Sequence, residues 1–219
     1  MLIAYFYPWV WRQHVMKTVV RHLRGKRILS LTYDDGPSKA LTPRILDLLR
    51  QYDAKATFFV VGERARQHPE IVDRIVKDGH EIGCHSERHL NAWRVLPWHA
   101  SADIDDGYRS LSQWLPSNGK FRPPHGKMTL PTYFTIRKRM ASVWWWTIDS
   151  GDTHSALPNP DSVEKAIGDA QGGIILMHDL HWRDRVLERD EFVLETTKML
   201  LESAKRNSLT VATLDRILS

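Results

Sequence analysis

The 219-residue sequence predicts an α/β fold, an irregular and partly incomplete (β/α) barrel of about seven parallel strands. Three observations predict it. Short apolar runs alternate six or seven times with segments of helical periodicity, which calls for a parallel sheet. Ionisable residues follow directly on the apolar runs, and a barrel gathers such strand ends on one face. No Gly-rich dinucleotide loop is present, which favours a closed barrel over an open nucleotide-binding sheet.

The elements follow in order. Arg27–Tyr33 reads as the first strand through Ile28, Leu29 and Leu31, and it runs into the loop Asp34–Ser38. Thr42–Gln51 fits a helix with Thr42 as N-cap, Pro43 at the first helical position and Ile45, Leu48 and Leu49 as its buried stripe. Ala56–Val61 is β-branched and aromatic, hence a strand. Residues 63–78 repeat at helical spacing through Ile71, Val72, Ile75 and Val76, and Gly79 stops them. His80–Cys84 is a short strand, followed by a polar loop and a helix around Ala102–Trp114. Phe121–Arg122 begins an extended segment that Pro123 and Pro124 end. Thr132–Met140 and Ser162–Ala170 read as helices, with a strand at Ser142–Ile148 between them. Gly173–Met177 is a compact buried strand, Glu191–Lys205 a helix, Leu209–Ala212 a strand and Leu214–Leu218 a short closing helix.

Residues 27–219 form one domain. No run approaches the eighteen apolar residues of a membrane span. The net charge of +5 is unevenly placed: residues 1–27 carry Arg12, Lys17, Arg21, Arg24, Lys26 and Arg27 and no acid, so the remainder is near −1. Charge confined to one end argues for a local contact and against a nucleic-acid partner. Residues 1–26 also hold Tyr5, Phe6, Tyr7, Trp9 and Trp11, and Trp11, Val15, Val19 and Leu23 recur at helical spacing. Two readings stay open: an interfacial helix that meets an anionic membrane through residues 1–24, or a helix packed on the domain. The apolar run precedes the positive charge, the reverse of a cleavable secretory signal, so the expected location is cytoplasmic, peripheral at the inner membrane face if residues 1–24 bind it. Cys84 is the sole cysteine, so no intrachain disulfide forms, and no obligate protein partner is implied.

The chemistry is positional. Asp34 and Asp35 follow the first strand, His85 the third, Arg122 the next, Asp149 the one after and His178 the sixth. His85 and His89 lie four apart, the spacing that puts two imidazoles on one side of a helical turn. With Asp35 they make a two-histidine, one-carboxylate set that leaves positions for water and substrate. Asp34 and Asp35 are adjacent and cannot both point the same way, which suits one to the metal and the other to a proton. The bland alternatives are a solvated histidine pair and an Asp-rich turn shaped by Gly36 and Pro37.

Five motifs then occur in order: Thr32-Tyr33-Asp34-Asp35-Gly36-Pro37, His85–His89, Arg122-Pro123-Pro124-His125-Gly126, Asp149-Ser150-Gly151-Asp152 and Leu176-Met177-His178-Asp179. Together they resemble the polysaccharide deacetylase (NodB-homology) family, over about residues 27–215. The resemblance implies a hydrolase of carbon–nitrogen bonds that removes N-acetyl groups from a GlcNAc-containing glycan or glycolipid: chito-oligosaccharide, peptidoglycan or a lipid-linked envelope precursor. It implies Asp34 as general base, with Asp35, His85 and His89 holding one divalent ion, usually zinc, with cobalt or another divalent ion as alternatives. Arg122 would hold Asp34 ionised, and His178 would be the general acid, positioned by Asp149. The amide after Pro124, at His125, would bind the oxyanion, Leu176 would line the acetyl pocket, and Asp152 is a further substrate-binding candidate. The sequence departs from the family at His125, where many members have tyrosine, and at Thr153, where tryptophan is common. Among Trp144, Trp145 and Trp146, core positions are the expectation, although one ring could replace the missing one. His154, His181 and Trp182 read as loop residues near the mouth. Two other functions use the same residues: an amidase or deformylase acting on another N-acyl sugar, and a catalytically silent glycan-binding or membrane-surface protein.

Overall fold

The computed structural model describes residues 16, 17, 19–21, 23, 25–180 and 186–218. The chain runs β1 (Ile28–Asp34), α1 (Thr42–Gln51), β2 (Thr57–Val60), α2 (Gly62–Gln67), α3 (Pro69–Lys77), β3 (Glu81–Cys84) and α4 (Pro97–Ser110). A short 3-10 turn (Pro124–Gly126) follows, then α5 (Leu130–Lys138), β4 (Ile148–Asp149), α6 (Pro160–Ala170), β5 (Gly173–His178), α7 (Val186–Arg206), β6 (Thr210–Val211) and α8 (Asp215–Leu218). The sheet order is β3-β2-β1-β5-β4, with β6 also on β1, and every pairing is parallel. Single parallel bridges join Cys84 to Phe121 and Phe121 to Val143. Pairing therefore passes from β3 through these residues into the segment that ends in β4, and the array is an irregular barrel with one thin wall.

That wall is where the expected strands shrink. Ser142–Ile148 keeps a bridge at Val143 and becomes regular only at Ile148–Asp149, so six strands form among the described residues. Buried Trp144 and Trp145 occupy this stretch, and their carbonyls turn inward to Arg122. The expected helix over 63–78 is two helices, because the residue before a proline is pushed out of helical geometry; His68, before Pro69, has φ −138° and ψ 56°. Thr42 is not the N-cap of α1. Ser38 Oγ accepts from the amides of Leu41 and Thr42 instead, which frees the Thr42 hydroxyl for Asp179.

All seven residues of β1 are buried, as a strand covered on both faces must be. The two-residue period divides them. Leu29, Leu31 and Tyr33 face the helices with Phe58, Val60, Ile82, Ile175 and Met177 in the larger core. Ser30, Thr32 and Asp34 fall on the other face, inside the barrel. By the same alternation His178 and Leu176 on β5 point inward, and the continuation of β3 turns His85 inward and the buried Cys84 outward. One parity rule thus aims a base candidate, an acid candidate and a metal ligand into the same space.

The end of the barrel opposite these residues is plugged by a second cluster of Ile28, Phe59, Trp144, Ile174, Leu214 and Ile217. Val19 and Leu23 belong to it, and the described residues between 16 and 26 are helical. The described part of the N-terminal segment therefore packs on the domain; Trp11, Val15 and the aromatics before them lie outside the described residues. Among the described residues, no helix is long and apolar enough to cross a membrane.

Leu23 is 2% exposed. We predict that Leu23→Ala lowers stability by about 2–5 kcal/mol, the ordinary range for emptying a buried leucine site. Urea unfolding checks this, and a change under about 0.5 kcal/mol would mean that the segment does not carry the barrel floor.

Candidate active site

The inward side chains meet at the C-terminal ends of the strands, in a cavity of about 510 Å³ lined by Asp34, Asp35, His85, His89, Leu176 and His178 among others. Asp34 and His178 are direct cross-strand neighbours on β1 and β5. Arg122 is fully buried beneath them. Its Nη1 donates to Asp34 Oδ1 and to Thr32 Oγ1, each at 2.7 Å, and Nε and Nη2 reach the carbonyls of Trp144 and Trp145 at 3.4 Å. The Phe59 ring lies 4.1 Å below the guanidinium carbon. A guanidinium so enclosed has one geometry, and it holds the Asp34 carboxylate in one geometry too.

Asp35, His85 and His89 converge beside Asp34. Asp35 Oδ1 lies 3.3 Å from His85 Nε2 and 3.1 Å from His89 Nε2, and donor atoms from the three residues sit within 4.8 Å of one another. The His85 Nδ1 lies 2.8 Å from the Arg122 carbonyl. Nδ1–H donating there leaves the Nε2 lone pair facing Asp35, the tautomer a metal ligand needs. Two imidazole nitrogens and a carboxylate oxygen at this spacing fit a divalent ion such as zinc, with positions to spare. Burial alone would raise the Asp35 carboxyl, yet the imidazoles of His85 and His89 against it bring it below its ordinary range. Burial, and then the charge of His85, push His89 down to about 3.

His85 and His89 do not share a helical turn as their spacing suggests. Ser86 and His89 have φ of 64° and 57°, so the segment is a loop bent by two left-handed residues. Asp103 holds it from α4, accepting from the amides of Arg88 at 3.1 Å and Leu90 at 3.4 Å, and from Arg88 Nε. Ser86 Oγ accepts from the His89 amide. A side chain on Gly107 would place its Cβ 2.5 Å from the Ser86 carbonyl carbon, so only glycine lets α4 come this close. The sequence reading missed Asp103 and Gly107; an acid and a glycine four apart on the apolar face of a helix were the available signal.

The sequence profile described as polysaccharide deacetylase matches residues 22–152, and those residues include both histidines and both aspartates of this centre. The chain belongs to the polysaccharide deacetylase family. It is 37% identical over 159 residues to a peptidoglycan-N-acetylglucosamine deacetylase of Bacillus cereus, covering 71% of this chain and 74% of that protein. It is 33% identical over 161 residues to a chitooligosaccharide deacetylase of Bradyrhizobium, covering 71% and 72%. The structure of the Bc1960 peptidoglycan N-acetylglucosamine deacetylase is similar at TM-score 0.77 and 26% identity, with 89% of each chain covered. A family 4 carbohydrate esterase of Streptomyces lividans, solved with acetate, is similar at TM-score 0.71 and 26% identity, covering 84% of this chain and 91% of that one. As a member of this family the chain is a hydrolase acting on carbon–nitrogen bonds other than peptide bonds.

One role moves within the deacetylase site. Asp149 does not position His178. It is exposed, and its Oδ1 accepts from the Gly151 amide at 2.8 Å, closing a turn. That turn carries the chain inward to Asp152, which is fully buried and accepts from the His178 amide at 2.7 Å, its Oδ1 lying 2.9 Å from His178 Nδ1. Asp152, expected at the substrate, is therefore the partner of His178. Burial favours the neutral imidazole, but Asp152, with Asp35 and Asp34 behind it, pushes the pKa of His178 up to about 10.

The remaining candidates are placed as follows. Pro124 is buried, and His125, at φ 55°, stands with its ring 4.4 Å from that of His89. Leu176 and Thr153 line the cavity, as does Trp146, whose ring leaves no room for a side chain on Gly126. Trp144 and Trp145 are core residues as expected, while Trp146 is the ring on the cavity wall. His154 is exposed beside Gly151, and His181 and Trp182 lie outside the described residues.

Asp179, to which the sequence reading assigned no role, braces the metal turn. Its Oδ1 accepts from the Gly36 amide at 2.9 Å, its Oδ2 from Thr42 Oγ1 at 2.6 Å, and its own amide donates to the Asp34 carbonyl at 3.1 Å. A Cβ on Gly36 would stand 2.1 Å from this carboxylate. Burial raises the carboxyl to about 7.

Two predictions follow from this geometry. The protonated His178 ring contributes stability that is present below its ordinary value of 6.5 and lost as pH rises through about 10. Asp152→Asn removes the chief cause of the rise, so the alkaline limb of the pH–rate profile should move down by at least about one unit, since a charge-assisted hydrogen bond contributes ~1.5–3 kcal/mol. An unmoved limb would rule out this pairing. Asp179→Asn presents one amide donor to two donors, and should weaken metal retention by about 10–100-fold, measured by competition with a chelator.

Proposed function

We propose that the protein removes N-acetyl groups from a GlcNAc-containing glycan or glycolipid, using one zinc ion held by Asp35, His85 and His89. The observation that carries this reading is the arrangement of two oppositely poised proton carriers across one cavity. Asp34, held by Arg122, stands on β1, and His178, protonated against Asp152, stands opposite on β5. An acceptor and a donor facing each other are what amide hydrolysis requires, since water must lose a proton while the departing amine gains one.

A divalent ion in this site supplies Lewis acidity toward an amide carbonyl. The chain's own residues do the rest. Asp34 Oδ2, the oxygen not engaged by Arg122 Nη1, takes the proton of the attacking water. Arg122 keeps that carboxylate aimed. His178 Nε2 hands its proton to the leaving nitrogen, while Asp152 holds Nδ1 and so fixes which nitrogen faces the substrate. Leu176 and Trp146 wall a space for the acyl methyl, with the Trp146 ring serving where Thr153 leaves the expected one out.

The full complement of base, acid, metal donors and arginine favours catalysis over a silent binding role. The names of similar proteins support peptidoglycan or chito-oligosaccharide as substrate. The cationic aromatic stretch 1–24 supports a glycolipid met at an anionic membrane surface, the cytoplasmic face in this reading.

Asp34→Asn should lower kcat by about 10²–10⁴ with the metal retained. Chelation should abolish acetate release, and zinc or cobalt should restore it. Acetate assay beside elemental analysis separates the two effects; full activity of Asp34→Asn would refute the assigned base.

A further inference from the structure

One side of the cavity mouth is built from two stretches without acids. Residues 88–102 carry Arg88 and Arg94, and residues 123–130 carry Lys127, with no Asp or Glu in either. The fold joins them at the metal centre. Arg88 and His89 line the cavity from the first stretch, and His125 and Gly126 from the second.

Just beyond, Trp93 lies against the second stretch. Its Nε1 donates to the Met128 carbonyl at 2.9 Å, and Lys127 Nζ stands 4.2 Å from the centre of its ring. Trp93 is 45% exposed yet held in orientation, with an ammonium over one face of its ring. Arg88 is built in a similar way. Asp103, itself buried, holds its Nε at 3.3 Å, while the side chain remains 58% exposed on the cavity wall. Arg189 lines the same cavity. Among the described residues of the lining, the carboxylates are Asp34 and Asp35, which face Arg122 and the two imidazoles rather than this rim.

We propose that this rim is a subsite for an anionic group, a carboxylate or a phosphate, carried on or next to the N-acetylated sugar. The Trp93 face opposite Lys127 takes the apolar side of a sugar ring, and Arg88 and Lys127 supply the countercharge. A guanidinium anchored at one edge is preorganised for bidentate contact with either oxyanion. The inference rests on the deacetylase reading and specifies its substrate class.

The test compares three probes on the metal-loaded protein: neutral chitotetraose, a peptide-free GlcNAc–N-acetylmuramic acid tetrasaccharide carrying carboxylates, and UDP-GlcNAc carrying a diphosphate. At least one acidic probe should exceed chitotetraose by about tenfold or more in kcat/KM, through KM, and which one does so identifies the source of the charge. That ratio should collapse toward one in the Arg88→Gln/Lys127→Gln double variant and at high salt. Arg88→Lys/Lys127→Arg should recover part of it. A wild-type ratio of one or less for both acidic probes overturns the proposal, and so does a ratio that the double variant keeps. Acetate release from none of the three would instead count against the catalytic reading. Equilibrium binding of the same probes then decides the subsite: preference for an acidic probe upholds it, and equal binding overturns it.

Discussion

A guanidinium buried inside the barrel is the constraint on which the rest of the site depends. Placing Arg122 at zero exposure is costly unless its donors are met, because a charge leaving water loses several kcal/mol of solvation. Thr32, Asp34 and the carbonyls of Trp144 and Trp145 meet them, and Phe59 supplies a π-face. The interior of this barrel therefore cannot be uniformly apolar. Ser30 and Thr32 sit where a barrel of branched aliphatics would be tighter, and the chain between Phe121 and Ile148 gives up regular pairing so that its carbonyls turn inward. The carbonyl of Arg122 itself orients His85. One residue thus aligns the general base through its side chain and a metal ligand through its backbone.

Around that pin the ionisable groups are pulled apart in charge. Asp34 and Asp35 are consecutive, but the left-handed turn at Asp35 sends one carboxylate to Arg122 and the other to two imidazoles. His89 is driven toward the neutral form that binds a metal, while His178 is driven toward the charged form that gives up a proton. The same side-chain type holds opposite protonation states in one cavity because Asp152 stands behind His178 and burial and positive neighbours surround His89. Asp103 and Asp179 do not face the cavity. They tie down the two loops that deliver the ligands, and they do so from buried positions where a lost partner would be felt at once.

Much of this was legible in the residues, and the reason is periodicity. The alternation of apolar runs and helical segments announced a parallel α/β barrel, and such a barrel gathers on one face the strand ends that carry Asp34, Asp35, His85, Arg122 and His178. Motif order then supplied the metal triad, Arg122 and His178. What the residues did not convey were contacts set by backbone turns. His85 and His89 look like a helical pair, yet two positive φ values make them a loop. Asp149 and Asp152 are interchangeable at the level of spacing, and only the turn through Gly151 decides which carboxylate reaches His178. Thr42 does not cap α1: Leu41 holds the N-cap position, Ser38 Oγ accepts from the Leu41 and Thr42 amides, and the Thr42 hydroxyl donates to Asp179 from across the sheet.

The sequence by itself determined the class of fold, the strand ends that bear the site and its chemical inventory, since these depend on local pattern and residue type. The tertiary structure decided the pairings: Asp152 with His178, Asp103 under the histidine loop, Asp179 behind the aspartate turn and Trp146 on the cavity wall. Those pairings join residues far apart in the chain, Gly36 and Asp179 being 143 positions apart, and nothing local to either partner encodes the distance between them. Strand parity says which way a side chain points; only the closed barrel says what it meets.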